Sequence, residues 1–145
     1  MKFSFLFGLL AIALLAGAQK DPPVPNPTLT PGVAAITDAK RICATKWGKD
    51  ERHVTPKMKR EVCAQYHARN CPGKGWEIDH LISRELGGAD DVRNLWPQPA
   101  PSFHQKDVLE NLLHRKVCAG EISLADAQAC LVDDWWACYQ KYYGK

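Results

Sequence analysis

The period with which apolar residues recur changes several times along the chain, and each change marks an element. Met1 to Ala18 begins with Lys2 and continues as an apolar run, Phe3 to Ala16, broken only by Ser4 and Gly8 and closed by Ala16-Gly17-Ala18. That run is shorter than the roughly 20 apolar residues that span a bilayer. A basic start, an apolar middle and a small-x-small end predict a secretory signal peptide over residues 1–18. A lipoprotein would carry its lipidated cysteine where Ala18 stands, so the expected product is free in the periplasm or medium, with no membrane attachment after cleavage. Residues 19–38 follow as a leader with five prolines between Asp21 and Gly32. Proline at this density forbids helix and favours an extended chain, so the segment reads as a tether ahead of a domain over residues 39–145.

Within that domain Thr55-Pro56 pairs an N-cap residue with proline at the first helical position, and Met58, Val62 and Tyr66 recur at helical spacing. This predicts a helix over 56–68, broken by Asn70 to Gly75. Trp76 to Ile82 alternates apolar and polar residues as far as Asp79 and loses the pattern at His80, which predicts a short strand. Gly87-Gly88-Ala89-Asp90-Asp91 reads as a turn-rich loop, and Asn94-Leu95-Trp96 as a second short strand ended by Pro97, Pro99 and Pro101. Ser102 with Gln105 matches a capping box, and Leu109, Leu112, Leu113 and Val117 form an apolar stripe that stops at Gly120. Ser123 with Asp126 opens a last helix whose buried side is Leu124, Ala127, Leu131, Trp135 and Cys138. Helix, strand, glycine loop, strand, helix, helix is an α+β order.

Charge and cysteine content narrow the function classes. Nineteen Lys and Arg against sixteen Asp and Glu leave a net +3, and +2 once Lys2 is cleaved away. Such a balance excludes a protein that coats nucleic acid through a broad electropositive surface, so any nucleic-acid activity belongs to a local site. The six cysteines, Cys43, Cys63, Cys71, Cys118, Cys130 and Cys138, include no Cys-x-x-Cys pair. That removes the main support for zinc-knuckle and thioredoxin-like readings. An even count in an exported chain predicts up to three disulfides. Cys130 and Cys138 on one continuous helix would lie about 12 Å apart, beyond disulfide reach, so each is expected to pair elsewhere.

Candidate chemistry gathers in the strand, loop, strand, helix unit: Asp79-His80 ends the first strand, Asn94 opens the second and His104 lies in the first helical turn. Folded as a hairpin returning to a helix N-terminus, the unit brings these four residues to one cleft. One carboxylate and one imidazole leave coordination positions open for water and phosphate oxygens, which suits a hard or borderline divalent cation. The helix N-terminus adds free N–H groups for an anion.

The run Glu77-Ile78-Asp79-His80-Leu81, then Gly87-Gly88, Asn94-Leu95 and His104, resembles the HNH nucleases, which have the ββα-metal fold. More narrowly, Asp79 to Pro99, Lys106 to Gly120 and Ser123 to Gln128 look like small exported bacterial HNH proteins with an Asn-Leu-Trp-Pro-Gln-Pro signature. The resemblance implies an HNH core with flanking helices. It implies that Asp79 and His104 are metal ligands, His80 is the general base that activates water, and Asn94 orients the His80 ring. Mg²⁺, Mn²⁺, Ni²⁺ or Zn²⁺ would stabilise charge during phosphodiester hydrolysis. Many relatives carry two Cys-x-x-Cys pairs for a structural zinc; here disulfides would take that part. Three prolines between Asn94 and His104 make Asp107 the nearest alternative ligand.

Arg84, Arg93 and Lys106 are the basic residues nearest the expected site and its candidate phosphate contacts. Glu77 faces the same side of the strand as Asp79. His114, roughly 15 Å along the helix from His104, reads as structural, and His53 and His67 have no placed partners, an approach of His53 to the substrate being the lesser alternative. The leading expectation is an exported, monomeric, metal-dependent endonuclease that cuts DNA rather than RNA with little sequence preference, since one small domain has little surface for reading bases. The alternative is a disulfide-stabilised binding protein on the same scaffold, without catalysis.

Overall fold

The computed structural model describes residues 21–144, so the expected signal peptide and its cleavage point lie outside the described residues. The described chain is α+β: α1 (Ala39–Ala44), α2 (Pro56–Gln65), β1 (Trp76–His80), β2 (Leu95–Pro99), α3 (Ser102–Cys118) and α4 (Leu124–Tyr143). Single turns of 3-10 helix at Arg84–Leu86 and Val92–Asn94 lie in the connection between the strands.

Helix starts agree with the sequence where a side chain makes the cap. Thr55 accepts from the Met58 amide with Pro56 at the first position, and Ser123 accepts from the Asp126 amide at 3.0 Å. α2 stops three residues early, because the chain reverses at His67, whose φ is +49°. The capping box expected at Ser102 does not form. Ser102 is buried in the first turn of α3, where its hydroxyl donates to the Pro99 carbonyl and accepts from the Gln98 side chain through Nε2, fastening β2 to the helix.

β1 and β2 pair antiparallel, with Trp76 opposite Pro99, Ile78 opposite Pro97 and His80 opposite Leu95. β2 therefore runs through the two prolines at which the sequence pattern ends it. They are two residues apart, so both nitrogens point the same way, off the edge of a two-stranded sheet where no donor is needed. The strand's start shifts too, since Asn94 closes the 3-10 turn before it.

α3 and α4 pack together over α1 and the chain that follows β1, burying Ile42, Leu81, Leu86, Leu109, Leu113, Leu131 and Trp135 almost completely. A smaller cluster, Val62, Cys63, Ile78 and Leu95, fills the space under α2. The expected buried side of α4 is the buried side. On α3, Lys106 and Glu110 join Leu109, Leu113 and Val117 in the interior.

Three disulfides join Cys43 to Cys118, Cys63 to Cys71 and Cys130 to Cys138. The last pairing corrects the expectation that Cys130 and Cys138 have separate partners. Asp134 is extended, with φ −169° and ψ 98°, and its carboxylate accepts from the amides of Trp136 and Ala137, capping a new helical stretch. The break brings the two Cα atoms to 5.6 Å, where an unbroken helix would hold them about 12 Å apart.

The leader also departs from its expected role as a tether. The Trp135 indole donates to the Pro23 carbonyl at 3.3 Å and the Trp136 indole to the Asp21 carboxylate at 3.0 Å. Thr30 is buried and donates to the Leu95 carbonyl, while the amides of Ala35 and Ile36 bond to Gly87. An extended proline-rich chain has no internal partners for its carbonyls and remaining amides, and here the indoles, Leu95 and the glycine loop supply them.

Candidate functional site

Alternation along β1 places Glu77 and Asp79 on one face and Ile78 and His80 on the other. The His80 side chain is 6% exposed, and its Nε2 lies 2.7 Å from Oδ1 of Asp90, in the glycine-rich loop. The other Asp90 oxygen accepts the His53 amide at 2.6 Å, and Arg84 Nε stands 3.6 Å from Oδ1. Burial lowers the pKa of His80 below its ordinary 6.5, more than the hydrogen bond to Asp90 raises it. Burial would raise Asp90, but the His53 amide and the His80 ring outweigh it and hold the carboxyl below its usual range. An ionised carboxylate can only accept, so Nε2 carries the proton and Nδ1 is the basic nitrogen of a neutral ring.

Asp79 turns toward α3. Lys106 Nζ donates to Asp79 Oδ2 at 2.7 Å, to the His80 carbonyl at 2.6 Å and to Glu110. This corrects the expectation that Lys106 contacts substrate phosphate: it has no exposed surface. Burial alone would strip its proton, but Asp79 and Glu110 reverse the balance and keep it charged. Burial also pushes the Glu110 carboxyl up to about 8.

Asn94 does not touch the His80 ring, contrary to expectation. Its side chain accepts from the amides of Ile82 and Val33 and donates to the carbonyls of Ile82 and Ala89, all within 3.3 Å. It pins the loop that carries Asp90, and so acts on His80 only at one remove. Gly88 closes that loop so tightly that a Cβ there would stand 1.7 Å from the Ile82 carbonyl oxygen.

A cavity of about 190 Å³ opens over these groups, lined by Trp47, Gly48, Asp50, Asp79, His80, Ser83, Arg84, Glu85 and Glu110. Ser83 is 7% exposed and its hydroxyl has no partner. His104 and Asp107 do not line it. His104 is exposed on the first turn of α3, its ring edge-on to Phe103 at 4.4 Å. Asp107 lies within reach of the charge of Asp79, and burial first, then that charge, raises its pKa; Glu77 is raised in the same way and feels both. The other two expected phosphate contacts are engaged as well. Arg84 pairs with Asp50 and donates to the Glu51 carbonyl, and Arg93 grips Asp91 through two nitrogens. His53 meets Asp90 through its amide, while its ring is exposed beside Glu51.

The structure thus brings Asp79 and His80 to one cleft, sets Asn94 behind it and leaves His104 outside. Asp90, the partner of His80, stands in a stretch whose residues read as turn formers. Lys106 and Glu110 had a signal, since they share the helical face of Leu109 and Leu113. Among the described residues no three His, Cys, Asp or Glu side chains are grouped to hold a metal ion. No known protein family, curated protein or solved structure matches the chain.

Proposed function

We propose that the protein is an exported, metal-dependent endonuclease of the HNH type that hydrolyses DNA phosphodiester bonds with little sequence preference. The observation that carries this reading is the buried His80–Asp90 pair at the end of β1, one residue from Asp79, in a polar cleft. The antiparallel strands followed by α3 support a ββα core, and three disulfides support an oxidising compartment. Among the described residues no helix is long and apolar enough to cross a membrane.

In this reading His80 Nδ1 takes a proton from the attacking water, and Asp90 stabilises the imidazolium through Nε2 while fixing the ring. Lys106 fixes the Asp79 carboxylate through one oxygen. A hard divalent cation, if held here, would draw on the carboxylates of Asp79 and Asp107, with His104 on the same helical turn as Asp107. Such an ion would stabilise negative charge on the phosphate and the leaving oxygen.

The second reading, a binding protein without catalysis, is favoured by the absence of a three-donor group among the described residues. Plasmid nicking by the oxidised protein decides between them, run with EDTA and with Mg²⁺, Mn²⁺, Ni²⁺ or Zn²⁺ restored. The endonuclease reading expects nicking that EDTA stops and that His80→Ala lacks. Inactivity with all four ions, or undiminished cutting by His80→Ala, selects the binding protein.

A further inference from the structure

We propose that the segment from Lys46 to Arg60 is the surface that grips the phosphate backbone of nucleic acid and presents it to the His80 cleft. This rests on reading that cleft as a phosphodiesterase site.

Pairing of charges separates two halves of the chain. Among the described residues Arg84, Arg93, Lys106 and Lys116 each have a carboxylate within 4.0 Å, and all follow β1. The ten Lys and Arg residues between Lys40 and Lys74 have none. Six of them, Lys46, Lys49, Arg52, Lys57, Lys59 and Arg60, fall within fifteen residues. Of the two acids in that stretch Asp50 is held by Arg84, so Glu51 alone stands against six cations. The near-neutral whole conceals a basic segment and an acidic remainder.

The basic segment is fastened beside the cleft. Arg84 donates to the Glu51 carbonyl, the His53 amide to Asp90, and Arg52 to the Ile78 carbonyl at 3.3 Å. Trp47, Gly48 and Asp50 line the cavity that holds His80. Lys46, Lys49, Arg52 and Lys57 are exposed. The same cavity is lined by the carboxylates of Asp79 and Glu85, which repel phosphate. A polyanion is therefore attracted to the basic segment beside the cleft and turned away from the cavity itself, where water and a cation belong. Exposed, unpaired cations along one edge are what backbone contact without base reading requires.

The test is fluorescence anisotropy of a labelled 20-base-pair duplex against full-length oxidised His80→Ala protein, in EDTA, over a series of KCl concentrations. Each phosphate contact contributes about 0.9 to the slope of log K against log salt. Adding Lys46→Gln, Lys49→Gln and Lys57→Gln is expected to flatten the slope by about 2 to 3 units and weaken binding at least about tenfold. Arg115→Gln with Lys141→Gln, which removes exposed unpaired cations elsewhere, is expected to change neither. An unchanged slope in the triple variant overturns the proposal, and so does equal flattening by the control pair. Tighter binding to phosphatidylglycerol vesicles than to the duplex, through the same three lysines, overturns it in favour of an anionic membrane. Nicking by the protein with native His80 is scored separately. Loss of the slope effect with nicking intact refutes the surface alone, whereas a slope effect without nicking supports the surface and refutes the endonuclease.

Discussion

Replacing Lys106 with methionine, similar in length but uncharged, takes a cation from the interior and leaves Asp79, Glu110 and the His80 carbonyl facing a thioether. Removing one partner of a buried ion pair costs about 3–5 kcal/mol. Two features place this case at the lower end. Burial raises the Glu110 carboxyl, and more so once Lys106 is gone, so in the variant it takes up a proton and is not left as a bare charge. The Asp79 side chain is 16% exposed and reaches water. The expected loss is about 3 kcal/mol at pH 7, which at a urea slope of about 2 kcal/mol per molar lowers the unfolding midpoint by about 1.5 M. Equilibrium unfolding with the disulfides intact, followed by fluorescence of the buried Trp96 and Trp135, measures it. Glu110 supplies the pH test. Its folded pKa lies above the ordinary 4.5, so its stabilising contribution is complete below 4.5 and is lost as pH rises through about 8. Glu110→Gln is expected to flatten that decline in the otherwise native protein, and Lys106→Met to steepen it. A Lys106→Met midpoint within about 0.5 M of the native one, or a larger loss at pH 5 than at pH 8, would refute the account of Lys106 as the cation these oxygens need.

Three further outcomes are expected. Asp90→Asn leaves one neutral amide oxygen where two charged ones serve His80 Nε2 and the His53 amide, and removes a charge that raises the ring's pKa, so nicking falls at least about tenfold. The acid limb of the pH–rate profile, below 6.5 in the native protein because burial lowers His80, then moves further down. Movement upward would count against the pairing, and ¹⁵N shifts of the ring report the tautomer directly. Asn94→Asp sets a carboxylate against the Ile82 and Ala89 carbonyls and is expected to cost about 3 kcal/mol or more, beyond the loss in Asn94→Ala. Equal melting temperatures for the two variants would contradict the clamp. Replacing Cys43 and Cys118, 75 residues apart, by serine is expected to cost about 4.5 kcal/mol, against about 2.6 for Cys130 and Cys138, 8 apart, from the loop each pair closes. Denaturant midpoints in the reverse order would show that loop closure is not what these bonds contribute.

How much of this was legible in advance depends on the range of the interaction. Thr55 and Ser123 cap helices through partners three residues away, and the apolar face of α4 repeats every turn, so local spacing suffices for both. Asp134 defeats the same reasoning. One extended residue turns a single helical pattern into two stretches and reverses the expectation for Cys130 and Cys138, yet it interrupts no apolar periodicity. At the site, Asp79 and His80 are adjacent in sequence and come together as read. The His80–Asp90 pair depends on how tightly Gly88 lets the loop close, and Lys106 belongs to Asp79 through a helix that begins only after β2. A basic residue near a motif invites a substrate role in one dimension. In three dimensions Asp79 of the motif and Glu110 of the helix claim Lys106 first.

The hydrogen bond from Trp135 to Pro23 spans 112 residues, and the one from Trp136 to Asp21 spans 115. Between them lie the cleft, both strands and the basic segment. The leader is made before α4, so it has no indole partners until that helix has followed it. Once both are present, residues 21–23 and 135–136 latch the first and last stretches of the described chain across everything between them.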